Sequence, residues 1–313
     1  DNQTTDLAVI RTSPKDGYSS VSVVNLSFLG YNETYTPDKL LDRINTLATA
    51  YFPLDGINEK GLAMAALSFP ENAVYREKDA HRINIAPYEL FPYILGQCEN
   101  TEDARRLLAD INLWNEPFSD ALPLTPLHFI ISDKHRALTL ESTEKGIFLY
   151  ENPVGVLTNS PPFDFQMQYL NLFMGLSEKT PENRFSQKIA LQPCSRGMGA
   201  LGLPGDLSST SRFVRAVFTK MNSVSDGSDD GELTQFFHIM DSVKQVRGCC
   251  DLGHGKYEMT QYTSCCDLDN GVYYYRTYCN SQICGVDMHH VNLYSENLRE
   301  YPLIEGQHIW MQN

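Results

Sequence analysis

Hydrophobic and polar residues alternate at a period of two in LAVIRTS (7–13) and SVSVVNLSFL (20–29), which predicts two β-strands separated by a Lys15-Asp16-Gly17 turn and stopped at Gly30. Across DKLLDRINTLATA (38–50) the apolar spacing lengthens to that of a helix. DGINEKG (55–61) reads as a turn into the strand LAMAALSF, and helices follow near 87–98 and 101–111. The second of these helices is opened by Thr101, with Glu102 and Asp103 at its positive end. The middle of the chain alternates again at LHFIIS (127–132), residues 137–143, GIFLY (146–150) and VGVLT (154–158). The connectors are too short for crossover helices, so these strands are expected to pair antiparallel.

Helical spacing returns in PFDFQMQYLNLFMGL (162–176) through Phe163, Met167, Leu170 and Phe173, and in ELTQFFHIMDSVKQV (232–246) through Leu233, Phe236, Phe237 and Met240. Both stripes read as core, with His238 as a core or boundary histidine. Between them, GLPGDLSSTSRFVRAVF (202–218) combines a Pro204-Gly205 turn, capping hydroxyls from Ser208 to Ser211, and a helix with apolar positions Phe213, Val214, Val217, Phe218 and Met221. Residues 256–278 form a hairpin about Asp269-Asn270-Gly271, and SVSDGSDDGE (223–232) reads as a solvated acidic loop. Hairpins alternating with separate helix groups predict an α+β chain with antiparallel sheets, folded as one domain over residues 1–313.

Composition narrows the partners. The 313 residues are 42% hydrophobic, enough for a large core. A net charge of -14 argues against nucleic acid or anionic membrane as a partner, because such a surface repels phosphates. No apolar run reaches membrane-spanning length or resembles a secretory core. Eight cysteines include the neighbouring pairs Cys249-Cys250 and Cys265-Cys266, an awkward arrangement for bridges, and no C-x-x-C spacing is present. Reduced thiols in a cytoplasm, with no metal and no cofactor, are therefore expected.

Two motifs fail their context. GMGALG (197–202) matches a dinucleotide fingerprint but follows no strand, and reads better as a flexible or closely packed glycine loop. Asp226, Ser228, Asp230 and Gly231 imitate half of a calcium loop whose twelfth position is Phe237 rather than Glu. Ser142 and Lys145 match S-x-x-K by chance, on a strand end with no supporting motif.

Three polar residues stand where chains place chemistry. Asn159 lies at an expected strand-to-helix corner, where donors converge on anions, although Asn159 or Ser160 could equally cap the helix. Ser68 closes its strand, and a surface hydroxyl is the plainer reading. Arg212 and Arg215 place positive charge in the first turn of a helix, where a cation is disfavoured by about 0.3–1 kcal/mol unless an anion or acceptor compensates. For Arg212 the plainer reading is a stem covering apolar neighbours. An amide, a hydroxyl and a guanidinium suit an oxyanion hole but supply no nucleophile.

DGINEKGLAMAALSFP (55–70), VGVLTNSPPFDFQ (154–166), ALGLPGDLSSTSRFVRA (200–216) and YTSCCDLDNGVYYYRTYCNSQICGVDM (262–288) together resemble the choloylglycine hydrolase family, in particular its bile salt hydrolases. The likeness runs from about residue 51 to the end, while the first fifty residues resemble the wider linear-amide hydrolase group. It implies an N-terminal-nucleophile αββα four-layer sandwich and a homotetramer with the glycine-rich 190s segment near subunit contacts. It implies hydrolysis of glycine- or taurine-conjugated bile salts by a mature N-terminal cysteine whose own amine is the base. Asn159 would then hold that amine and the oxyanion, and Arg212 would lie against the sulfur and lower its pKa. Ser68 falls where the family usually has an oxyanion-hole Asn, and Leu54, Phe118 and Leu122 match apolar substrate-pocket positions, the last two in WNEPFSDALPLTP (114–126). Residue 1 is Asp1 rather than cysteine, so the chain is expected to begin just after the catalytic opening strands. A penicillin V acylase or related N-acyl amidase is the second reading, and a non-catalytic binding relic the third.

Overall fold

The alternating segments form the expected antiparallel strands in a computed structural model that describes residues 7–12, 17–25, 53–118, 123–290 and 299–313. The helix expected over 38–50, the strand residues beyond Asn25, and Leu122 lie outside the described residues. The chain divides into two units, residues 1–155 with 261–313, and residues 156–260.

In the first unit the strands are β1 (Leu7–Thr12), β2 (Ser20–Asn25), β3 (Pro53–Asn58), β4 (Ala63–Ser68), β5 (Ile83–Ile85), β6 (Ile111–Leu113), β7 (Leu127–Ser132), β8 (Ala137–Thr143) and β9 (Gly146–Glu151). Two strands of the second unit, β10 (Asp251–Gly253) and β11 (Lys256–Tyr257), pair with each other; β12 (Tyr262–Asp267), β13 (Val272–Thr277), β14 (Cys284–Asp287) and β15 (Arg299–Pro302) return to the first. Among the described residues, an antiparallel sheet runs β15-β1-β2-β3-β4-β7-β8-β9, and a second runs β12-β13-β14. The pair β5–β6 is parallel. Helices α1 (Leu90–Leu95) and α2 (Thr101–Leu108) lie between those two strands in sequence and provide the crossover that parallel pairing requires.

Period-two alternation sends neighbouring side chains to opposite faces. Met64, Phe129, Ile131, Leu138 and Leu140 pack with Leu90, Ile94 and Leu108 of the helices, whereas Ala63, Val9, Val21, Val23 and Ile57 pack with Tyr273, Tyr275 and Met288 of the second sheet side. Helix, sheet and sheet thus stack as layers of the first unit, in the N-terminal-nucleophile hydrolase manner expected from the sequence. Gly56 is required here, because a Cβ would stand 2.2 Å from Ser22 Oγ and 2.6 Å from Val21 O.

DGINEKG is mostly strand rather than turn: β3 runs through Asn58, and only Glu59–Gly61 reverse the chain. Asn58 explains the tight reversal. It is fully buried, its Oδ1 accepts from Lys60 N and Leu62 N at 3.1 and 3.0 Å, and its Nδ2 donates to Leu95 O and Cys98 O, both at 2.8 Å. VGVLT is not a strand. Gly155 takes φ +58°, and its N–H donates to Asn152 Oδ1 at 2.8 Å, which makes a turn after β9.

The second unit contains α3 (Phe163–Leu170), α4 (Ser209–Asn222) and α5 (Asp229–Asp241). Phe163 meets Phe213 edge-on at 6.3 Å, and Val214, Val217 and Phe237 are buried. The expected stripes are narrower than the spacing suggests: Phe163 and Gln166 are the buried residues of α3, Phe237 that of α5, and Met221 is exposed. The acidic run at 223–232 is a loop only to Ser228. That residue caps α5 by accepting from Gly231 N at 3.1 Å, and Asp229, Asp230 and Glu232 sit at the helix's positive end. His238 is exposed on the outer face of α5 rather than at a core boundary. GMGALG is closely packed at Gly199, where a Cβ would stand 2.0 Å from Lys179 O, while Gly197 and Gly202 face open space.

One half-buried acid ties the two antiparallel sheets of the first unit. Asp55 is opposite Val23 and Ala65 in the register, and its carboxylate accepts from Tyr262 Oη at 2.9 Å, Ser264 Oγ at 3.0 Å and Tyr273 Oη. Desolvation raises its pKa above the ordinary 3.8, against the opposing effect of the three hydroxyls. A pKa raised by folding gives a contribution complete below the unfolded value and lost as pH rises through the folded one. In urea denaturation from about pH 4 to 8, Asp55→Asn is expected to show a flatter decline of stability with pH than the parent; parallel curves would refute this reading.

Candidate active site

Helix α4 starts at Ser209, earlier than the sequence suggests, so Arg212 and Arg215 lie on its second turn rather than its first. The Arg212 Nε donates to Leu207 O at 3.0 Å and an Nη to Asn159 Oδ1 at 2.7 Å. A guanidinium only donates, so the oxygen of the Asn159 amide must face it, and Nδ2 is turned away as the donor end. Burial lowers the Arg212 pKa, and Arg215 adds to the effect, while Glu258 and Cys250 oppose it. Arg215 is satisfied by carbonyls: Ser242 O at 2.6 Å, Pro204 O at 2.7 Å and Asp206 O at 3.0 Å. It clamps the 204–206 turn and the end of α5 onto α4. The Asp206 carboxylate supplies negative charge at this helix N-terminus, accepting from Ser208 N at 2.9 Å and Ser211 Oγ at 2.5 Å. Hydrogen bonds from Ser208 and Ser211 hold its pKa at about 2.

Asn159 stands in the loop before α3, and a ring of polar groups fixes its backbone. Asn159 N–H donates to Ser209 Oγ (2.9 Å), Ser209 Oγ to Thr158 Oγ1 (3.0 Å), and Thr158 Oγ1 to Gln166 Oε1 (2.8 Å). Gln166 Nε2 closes the ring on Asn159 O at 2.7 Å and also reaches Pro161 O at 2.9 Å. Gln166 is fully buried, so each of these bonds replaces one to water. The sequence points to Asn159 and Arg212 but not to Thr158, Gln166 and Ser209. The available signal was Gln166 itself, a polar residue three positions after Phe163 on the inward side of α3. Helix capping, one of the two readings of Asn159, is not its role: Pro162 occupies the N-cap position of α3.

The remaining candidates belong to the first unit. Ser68 is the last residue of β4, exposed and opposite Leu127. Leu54 is half-buried against the core that contains Val23 and Tyr273. Phe118 is 38% exposed and meets Tyr88 edge-on at 5.4 Å. All eight cysteines are free thiols. Burial pushes Cys98 and Cys265 up to about 12 and raises Cys266 well above its ordinary value, and burial with the neighbouring Glu258 raises Cys250. These four thiols are held protonated, the opposite of what a nucleophile needs. Among the described residues, no group of three or more His, Cys, Asp or Glu is arranged to hold a metal ion, and no helix is long and apolar enough to cross a membrane.

Residues 44–301 match the profile of the linear amide C-N hydrolases, choloylglycine hydrolase family. The chain is 52% identical over 254 residues to a bile salt hydrolase/transferase of Lactiplantibacillus plantarum, covering 80% of this chain and 78% of that protein. It is 37% identical over 250 residues to a bile salt hydrolase/transferase of Clostridium perfringens, covering 79% and 76%. A crystal structure of a variant conjugated bile acid hydrolase from Clostridium perfringens superposes with a TM-score of 0.84 at 30% identity, over 99% of this chain and 93% of that one. Penicillin V acylase from Agrobacterium tumefaciens superposes with a TM-score of 0.66 at 18% identity, over 95% and 83%, a likeness of fold.

Gln166→Leu keeps the volume of the side chain but leaves two carbonyls and a hydroxyl without their buried partner. Chemical denaturation is expected to register a loss of about 2–4 kcal/mol, and a loss under about 0.5 kcal/mol would show that the ring does not hold Asn159.

Proposed function

This chain belongs to the choloylglycine hydrolase family, and from that membership we infer that Asn159 and Arg212 serve the hydrolysis of the amide C–N bond in glycine- or taurine-conjugated bile salts. The enzyme is an amide hydrolase. The observation that carries the site assignment is the 2.7 Å bond from Arg212 to Asn159 Oδ1, which orients the amide and keeps a half-buried cation beside it.

In this reading a thiolate at the mature N-terminus attacks the carbonyl carbon, the amine of glycine or taurine leaves with a proton, and water then cleaves the acyl thioester. Asn159 Nδ2 and the Ser68 hydroxyl donate to the developing oxyanion, and Arg212 favours the thiolate by its charge. Leu54, Phe118 and Leu122 provide apolar contacts for the steroid body, whose transfer from water drives binding. The names of the relatives at 52% and 37% identity support bile salts over penicillin V, because the acylase likeness is of fold alone.

A homotetramer and a cytoplasmic setting complete the proposal. Phe185 and Met174, each 82% exposed, and Leu201, 79% exposed, are apolar side chains of the second unit available to a partner copy. Free thiols suit a reducing compartment. Light scattering on the purified full-length protein should return the mass of four chains, and the mass of a single chain would remove this part of the proposal.

Taurine and glycine release by the full-length protein is expected to fall about 100-fold in kcat for Asn159→Ala and for Arg212→Gln. Near-parental kcat in both variants, or parental hydrolysis of penicillin V with none of conjugated bile salts, would reverse the assignment.

A further inference from the structure

Ser68 is held by neighbours to which no part of the reaction has been assigned. The antiparallel register places Leu67 opposite His128, and the continuation of the β7–β8 ladder places His128 opposite Glu141. Both His128 and Glu141 are fully buried, with His128 Nδ1 2.9 Å from Glu141 Oε1. Phe69, the residue after Ser68, is also fully buried and lies flat on the His128 ring, with centroids 4.2 Å apart and planes 5° from parallel. Its N–H donates to Pro126 O at 2.8 Å, which carries the ladder past the end of β4. Across from Ser68, Leu127 N–H donates to Tyr75 Oη at 2.9 Å, and that hydroxyl donates to Thr125 O at 2.8 Å.

Strand ends fray unless they are held, yet this end is fixed on both sides of one exposed serine. The reason lies in the length of the side chain. A serine hydroxyl stands one rotatable bond from the backbone, so its position is that of the backbone, whereas an oxyanion donor must be placed to within about 0.5 Å. A carboxylate and an imidazole buried together are a demanding way to support a ring, and hydrophobic packing alone would have filled the space. Their hydrogen bond adds a fixed ring plane, against which Phe69 has one seat.

We propose that His128, Glu141 and Phe69 are positioning residues for the Ser68 hydroxyl, acting in amide hydrolysis through the stacked ring and the strand end it fixes. This rests on the reading of Ser68 as an oxyanion donor. The test is a double-mutant cycle in the full-length protein, with Phe69→Leu and His128→Gln each made in the parent and in Ser68→Ala, and kcat and KM read from taurine release. Each substitution is expected to lower kcat at least about fivefold in the parent with KM within about twofold, and to change kcat by less than about 1.5-fold in Ser68→Ala. Equal factors in both backgrounds, or parental kcat in Phe69→Leu, would overturn the proposal. Where His128→Gln does not fold, Phe69→Leu completes the cycle alone. Parental kcat in Ser68→Ala would instead reject the serine's role and this proposal with it, leaving Asn159 and Arg212 to be judged by their own variants.

Discussion

The guanidinium of Arg212 is the constraint around which the second unit is organised. A cation on the second turn of a helix, partly removed from water, needs acceptors on the spot, and Leu207 O and Asn159 Oδ1 supply them. Those two bonds dictate which way the Asn159 amide faces. They also explain the cluster of hydroxyls in the sequence before α4: Ser208 caps, Ser211 holds Asp206, and Ser209 turns toward Asn159. The charge of Arg212 is tolerable because Asp206 and the carbonyls gathered by Arg215 offset the positive end of the same helix. Positioning and electrostatics are therefore one arrangement.

The first unit meets a related difficulty in a sheet. It places polar groups where alternation calls for apolar ones, half-buried at Asp55 and fully buried at Asn58, His128 and Glu141. Each is matched by partners from another strand or helix. Asn58 has four hydrogen bonds that link the β3–β4 reversal to the last residue of α1 and to Cys98 beyond it. Such groups add little net stability, since water would have bonded them equally well, but leaving any of them unmatched is costly. They select one register and one seat for each element.

Much of this was legible beforehand. β7 is legible at its observed bounds, because LHFIIS alternates and is closed by turns on both sides. The helix at 209–222 was visible through its caps and apolar spacing, and Asn159 and Arg212 through the local motifs that carry the family resemblance. What stayed hidden was decided by local conformation or by distant partners. VGVLT has the composition of a strand, and only the positive φ of Gly155 makes it a turn. The acidic run ending in Glu232 looks solvated until Ser228 caps Gly231 and makes it a helix start. Gln166, Ser209 and Thr158 carry no pattern, since their meaning lies in a ring closed across some fifty residues of sequence. Asp55 is likewise a charge in a turn-like heptapeptide until hydroxyls more than two hundred residues away surround it.

That last cluster limits how the protein is free to vary. Phenylalanine at 262 or 273 would be welcome in the layer between the sheets on grounds of shape, but either would strip the acid of a donor while leaving it enclosed. Removing the acid alone would leave three hydroxyls competing for one another. Four positions drawn from three strands are thereby bound into a single unit of substitution, and a lineage or a designer wishing to replace any of them with hydrocarbon must replace the set.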